Sequence, residues 1–215
     1  MTESHEALRA PQVLRSVSTM SAPSAAGTTL PLLRLSVPQY HAMRRAGILT
    51  ADDRVELLDG LLVSKMTKNP PHSLATELTR RALEDALRAG GVHEAWHVRS
   101  QEPITTEDSE PEPDVTVVAG KVRDYQAAHP EPRDVALVVE IADESLRRDR
   151  RDKLAIYARA GIGSYWIVNL ADRVVEIYRD PDGDAYRDRE SFGIDQTVPF
   201  ELGHDLTVAV SDLLP

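Results

Sequence analysis

Cysteine is absent from the 215 residues, which removes disulfides, thiolate metal sites and a thiol nucleophile. That absence suits a reducing compartment, and a cytoplasmic location is expected. No apolar run approaches the roughly 18 residues of a membrane span. Residues 1–33 lack the short apolar core of a secretory signal, and no Gly-rich phosphate loop of the nucleotide-binding folds is present. Positive charge is also short. There are 25 basic and 35 acidic residues, a net charge of −10, and only four of the basic residues are lysines. Such a balance argues against a broad electrostatic grip on nucleic acid. It leaves room for a local basic patch, for which "RRDRR" at 147–151 is the densest candidate and a solvated helix end the plainer reading.

The hydrophobic fraction of 41% and charged fraction of 28% are those of a soluble globular chain long enough to bury a core. Residues 1–33 are rich in Ser, Ala, Thr and Pro without periodicity and read as a mobile tail. One domain is expected over 34–215. Ser36 and Pro38 open a short helix that Gly47 ends, and Asp59-Gly60 marks a hairpin between "RVELL" and "LLVSKM". "HSLATELTRRALEDALRAGG" carries Leu74, Leu78, Ala82, Leu83 and Leu87 on one helical stripe. Extended segments "VHEAWHVRS", "DVTVVAG" and "VALVVEIA" follow. A second helix over about 147–160 comes next, then strands "SYWIVNL" and "RVVEIYRD", and a last short strand in "HDLTVAVSDLL". Strands grouped around two or three helices indicate an α+β fold with a mixed sheet and helical cover, not a regular βαβ alternation.

"HEAWH" at 93–97 matches the zinc-protease pattern, but that chemistry needs a helix. Read as a strand, the segment would hold His93 and His97 roughly 13 Å apart, too far for one ion. A better constellation lies downstream. Asp114 stands at the mouth of one strand and Glu140 near the exit of another. If the two strands pair antiparallel, both carboxylates meet at one end of the sheet. Two convergent carboxylates with a few waters suit Mg²⁺, while simple exposure at strand ends remains an equal alternative. Lys153 has two readings of its own. A helix folding back over its preceding strand aims it at Glu140, where an ammonium can orient a water or offset phosphate charge. Helical i,i+4 spacing offers Asp149 instead, as an ordinary surface ion pair.

"RVELLDGLLVSKM", "EPDVTVV" and "LVVEIADESLRRDRRDKLAIYARAGIGSYWIV", taken in order, resemble the Uma-type restriction endonucleases, a branch of the PD-(D/E)XK nuclease superfamily. The similarity runs from about Leu35 to near the C-terminus. It implies a restriction-endonuclease-like core, a mixed sheet flanked by helices, with added N- and C-terminal β-hairpins. It also implies Asp114 and Glu140 as Mg²⁺ ligands, with Mn²⁺ able to substitute, and Lys153 as the catalytic lysine. Glu56 is implied as an acidic residue reaching the site from the first hairpin, with His72 and Gln101 as accessory polar residues. DNA is the implied substrate and a homodimer the implied assembly, since double-strand cleavage needs two sites. Two features depart from the pattern. The usual lysine position, two after the glutamate, is Ala142, and Asp143-Glu144-Ser145-Leu146 stands where relatives often read Ser-Pro-Ser-Thr. A catalytically silent nuclease fold acting as a binding or scaffold module is the alternative. Tyr157 is expected to be a core contact, and Tyr165 and Trp166 read as core or dimer-seam residues before base-stacking ones.

Overall fold

A capping box starts the first helix. Gln39 N donates to Ser36 Oγ at 3.4 Å and Ser36 N to Gln39 Oε1 at 2.8 Å, so α1 runs Val37–Arg45. The computed structural model describes residues 32–202 and 205–215. The tail expected over 1–33 therefore lies outside the described residues except for Leu32 and Leu33. Strands β1 (Val55–Leu58) and β2 (Leu61–Ser64) form the expected hairpin. Its turn places Asp59 at φ 54° and Gly60 at φ 73°, the left-handed pair a two-residue hairpin demands. A Cβ on Gly60 would also come within 2.7 Å of the Arg34 Cβ, so space as well as backbone angle requires glycine.

Helix α2 (Pro70–Ala89) begins at Asn69, whose Oδ1 accepts the His72 N–H at 3.0 Å. Its inward residues are Ala75, Thr76, Thr79, Leu83 and Leu87. Leu74 of the expected stripe is instead half exposed.

Six strands form the central sheet in the order β3 (Trp96–Ser100), β4 (Val115–Ala119), β5 (Val135–Ala142), β6 (Ser164–Asn169), β7 (Val174–Asp182) and β8 (Ala185–Gly193). Neighbours are antiparallel except β5 and β6. That parallel step needs a crossover, and α3 (Leu146–Arg148), a π-helical turn (Asp149–Lys153) and α4 (Leu154–Arg159) supply it. A C-terminal hairpin, β9 (Thr197–Glu201) with β10 (Asp205–Ala209), completes the mixed α+β fold. The strand expected from residue 92 begins only at Trp96, because Val92 O accepts from both Ala95 N and Trp96 N and closes a turn there.

Strand β5 is near-continuously apolar because both of its faces are covered. Leu137, Val139 and Ile141 join the core under α2 and the C-terminal hairpin, with Leu83, Phe200 and Leu213. Val138 and Ala142 join the opposite core under α4, with Ile156, Tyr157 and Tyr165. Tyr165 and Trp166 are fully buried, and Trp166 meets Phe200 edge-on at 5.8 Å. Both are core residues, with no face for a base to stack on.

Candidate active site

Alternation along β5 puts Glu140 on the same side as Val138 and Ala142, toward the crossover helices. Asp114 precedes β4 by one residue. Since Val115 lies opposite Val139, Asp114 comes level with Glu140, and its Oδ2 accepts the Ile141 N–H at 2.9 Å. The convergence expected of antiparallel strands is present, and both carboxylates are buried.

Lys153 reaches them through the π turn. One residue more per turn than an α-helix rotates everything after it by about 100°. Two contacts hold this wide turn open: the Tyr165 hydroxyl donates to Asp149 O at 3.1 Å, and the Arg150 guanidinium grips the buried Glu176 of β7 with both ends. Lys153 Nζ then lies 2.8 Å from Glu140 Oε1 and 3.7 Å from Glu56 Oε2. The alternative ion pair with Asp149 is not the contact made, because Asp149 Oδ2 accepts from Ser145 Oγ at 2.5 Å. Tyr157 does more than pack. Its hydroxyl donates to Glu140 Oε1 at 2.6 Å, and its i,i+4 spacing from Lys153 was the available signal.

The remaining expected residues gather at the same place. Glu56 on β1 is buried, and its Oε2 accepts the Glu112 N–H at 3.1 Å. His72, in the first turn of α2, sets Nε2 3.2 Å from Asp114 Oδ2. Gln101 follows β3 in a left-handed conformation, φ 59°, and its N–H donates to Asp114 O at 3.1 Å. Such a conformation in a non-glycine residue is uncommon and recurs at functional sites. Glu56, His72, Gln101, Asp114, Glu140 and Lys153 all line one cleft of about 570 Å³. Sequence reasoning missed two further residues there. Asp149 was seen only as an ion-pair partner, and Lys68 lies in an irregular segment whose lack of period gives no signal.

Burial acts against charge on Asp114, Glu140 and Lys153 alike. It would raise Asp114, but the hydrogen bond and charge of His72 and the charge of Lys68 outweigh it and hold the carboxyl below its usual range. For Glu140 burial wins and pushes the carboxyl up to about 8. Burial disfavours the Lys153 ammonium too, yet Glu140, Glu56 and Asp149 around it raise it well above its ordinary value. Lys153 thus remains a cation and donor. Glu140 carries a linkage consequence. Between about pH 4.5 and 8 the folded protein binds a proton that the unfolded chain has lost, so stability falls as pH rises through that window. Thermal melts in excess chelator should show Tm falling from pH 5 to 8, and Glu140→Gln should flatten that slope. An equally steep slope in the variant would assign the proton elsewhere.

Among the described residues, no three His, Cys, Asp or Glu side chains are placed to hold an ion by themselves. His93 stands in the turn before β3 and His97 within that strand, so the segment lacks the helix that the zinc-protease pattern needs. A donor set of two carboxylates does fit Mg²⁺, which keeps most of its waters and takes one or two protein carboxylates plus substrate oxygens. Glu140, itself part of the cleft lining, has both its side-chain hydrogen bonds on Oε1 and none on Oε2 among the described residues.

The sequence profile of the Uma2 family, described as "Putative restriction endonuclease", matches residues 37–211. The chain belongs to the Uma2 family. A crystal structure described as "a putative nuclease belonging to DUF820" from Anabaena variabilis is similar to it. The TM-score is 0.62 at 14% identity, over 83% of this chain and 97% of that one. No curated protein matches. At the place where the superfamily pattern puts its lysine, this Uma2 chain has Ala142, fully buried beside Tyr157 and Tyr165. The ammonium beside Glu140 is that of Lys153, at the end of the π turn.

Proposed function

We propose that the protein is a Mg²⁺-dependent endonuclease that hydrolyses phosphodiester bonds in DNA. One observation carries this reading: Lys153 Nζ sits 2.8 Å from Glu140, thirteen residues back in the chain, at the strand end where Asp114 also arrives. Asp114 and Glu140 would hold the ion, with Mn²⁺ able to replace it. A bound Mg²⁺ supplies Lewis-acid polarisation of a phosphate oxygen and activation of a water. Glu56 and Tyr157 fix the partners on either side, since Glu56 faces Lys153 and Tyr157 holds Glu140 Oε1. Lys153, kept protonated by its acidic neighbours Glu140, Glu56 and Asp149, serves as a donor to the attacking water or to the charge growing on phosphate. It does not serve as a base.

Seven carboxylates and five Lys or Arg side chains line the cleft, so a polyanion is repelled until cations enter. This acidic excess supports obligatory metal dependence. It also favours the second reading, a nuclease fold that binds without cutting. The altered segment 143–146 weighs less than its sequence suggests, because Asp143 Oδ2 accepts from Asn69 Nδ2 at 2.7 Å and ties that loop to the start of α2.

Incubating supercoiled plasmid with the full chain and Mg²⁺ or Mn²⁺ should give linear product, directly if two copies act on one duplex. Asp114→Ala and Lys153→Ala should abolish it. Robust metal-dependent cleavage that survives both substitutions would remove this site from the reaction. Mn²⁺ binding by calorimetry without any cleavage would favour the binding module.

A further inference from the structure

Three of the four lysines line the active cleft, in a chain that otherwise takes its positive charge from arginine. Lys153 is buried among carboxylates, and Lys65 pairs with Glu112 at 2.5 Å. The third, Lys68, has the least settled position. Its Nζ lies 3.2 Å from Asp114 Oδ1, and its side chain is 34% exposed against 6% for Lys153.

The two oxygens of Asp114 differ in what they meet. Oδ2 is committed to the Ile141 N–H at 2.9 Å and to His72 Nε2 at 3.2 Å. Oδ1 meets only the Lys68 ammonium among the described residues. Oδ1 is the less committed oxygen, and a cation approaching it meets the Lys68 ammonium. The segment carrying Lys68 is anchored on both sides, by Lys65 N to Arg54 O at 2.8 Å and by Asn69 to Asp143 and His72. The side chain can therefore swing while its backbone stays.

We propose that Lys68 is a placeholder for the divalent cation. Its ammonium neutralises Asp114 Oδ1 until the ion takes that oxygen, and the freed ammonium then contacts the substrate's phosphate backbone at the cleft mouth. Lysine suits this exchange because it is a single, strongly hydrated point charge on a flexible stem. An arginine fork would grip the carboxylate through two hydrogen bonds and resist release. Cation and DNA binding become positively coupled through one side chain, and by linkage each strengthens the other by the same factor.

The inference rests on the reading of Asp114 as a cation ligand, and the test separates the two. Mn²⁺ is titrated calorimetrically into the full chain without DNA. Lys68→Met should bind Mn²⁺ roughly two- to fivefold more tightly than the unsubstituted protein, the scale of one partly exposed ion pair. Lys68→Arg should bind it more weakly. Lys121→Met removes the same charge from an exposed lysine paired with Glu94, and should leave the affinity unchanged. Duplex DNA binding, measured by fluorescence anisotropy with and without Ca²⁺, gives the second readout. Lys68→Met should weaken DNA binding only when Ca²⁺ is present. Equal Mn²⁺ affinity in Lys68→Met and the unsubstituted protein overturns the placeholder and leaves the cation site standing. A DNA defect independent of Ca²⁺ overturns the gating. If neither protein binds Mn²⁺, the cation site itself fails and the placeholder fails with it.

Discussion

Lys153→Met should lower single-turnover plasmid cleavage by about 10²–10³-fold, the usual cost of removing one preorganised donor from a developing anion. Methionine keeps the length and apolar stem, so the loss reports the ammonium and not a cavity. Mn²⁺ binding should survive and tighten, since the variant removes a cation from among Glu140, Glu56 and Asp149. The stability effect should depend on pH. Removing one partner of a buried pair commonly costs about 3–5 kcal/mol, because the other charge is left uncompensated. Here Glu140, already pushed up to about 8, can take a proton and become neutral. The variant should therefore melt close to the unsubstituted protein at pH 6 and well below it at pH 8.5. Cleavage within tenfold of the unsubstituted protein at saturating metal would show that the ammonium is structural.

How far the site was legible in the sequence depends on which residues are asked about. Asp59-Gly60 announces its hairpin because only one class of two-residue turn accepts that backbone. Asp114 and Glu140 are legible as a pair because antiparallel register is enough to bring a strand's start beside its neighbour's end. Lys153 is legible only halfway. An α-helical count stacks it on Asp149, and the π turn that rotates it onto Glu140 depends on Arg150 and Tyr165 finding partners on β7 and at the turn itself. Those are tertiary contacts, which no local spacing records. Leu74 misleads for a related reason. The first turns of α2 approach the sheet through Ala75, Thr76 and Thr79, so small residues lie inward and the larger leucine faces out. Lys68 and Gln101 lie in an irregular segment and just past a strand end, where there is no period to read. The family resemblance, carried by motifs in order, supplied Gln101 and left Lys68 unmarked.

Asp114→Asn should be the most damaging single-atom change in the protein, and the reason lies in its donors. Its Oδ2 accepts the Ile141 N–H, while Lys68 and His72, a cation and a further nitrogen, face its other lone pairs. An amide must keep its one oxygen for Ile141 or surrender that hydrogen bond. In the first case its NH₂ confronts the Lys68 ammonium, donor against donor. In the second a buried backbone N–H goes unpaired, at a cost of about 1–3 kcal/mol. Either way the charge that could recruit a cation is gone, so calorimetric Mn²⁺ affinity should fall by about a hundredfold or more, since losing even an outer-shell partner of a metal site costs about 10–100-fold. Cleavage should fall below detection. Asp114→Asn should also respond differently to acid. The native carboxyl sits below its usual range and adds stability that is lost as pH falls through that depressed value. The variant, with nothing there to protonate, should show a shallower acid limb in Tm between about pH 4 and pH 2. A protein that bound Mn²⁺ normally after this substitution would place the cation away from Asp114. Glu140, left with Lys153 and Tyr157 on a single oxygen, would then be the better ligand to pursue.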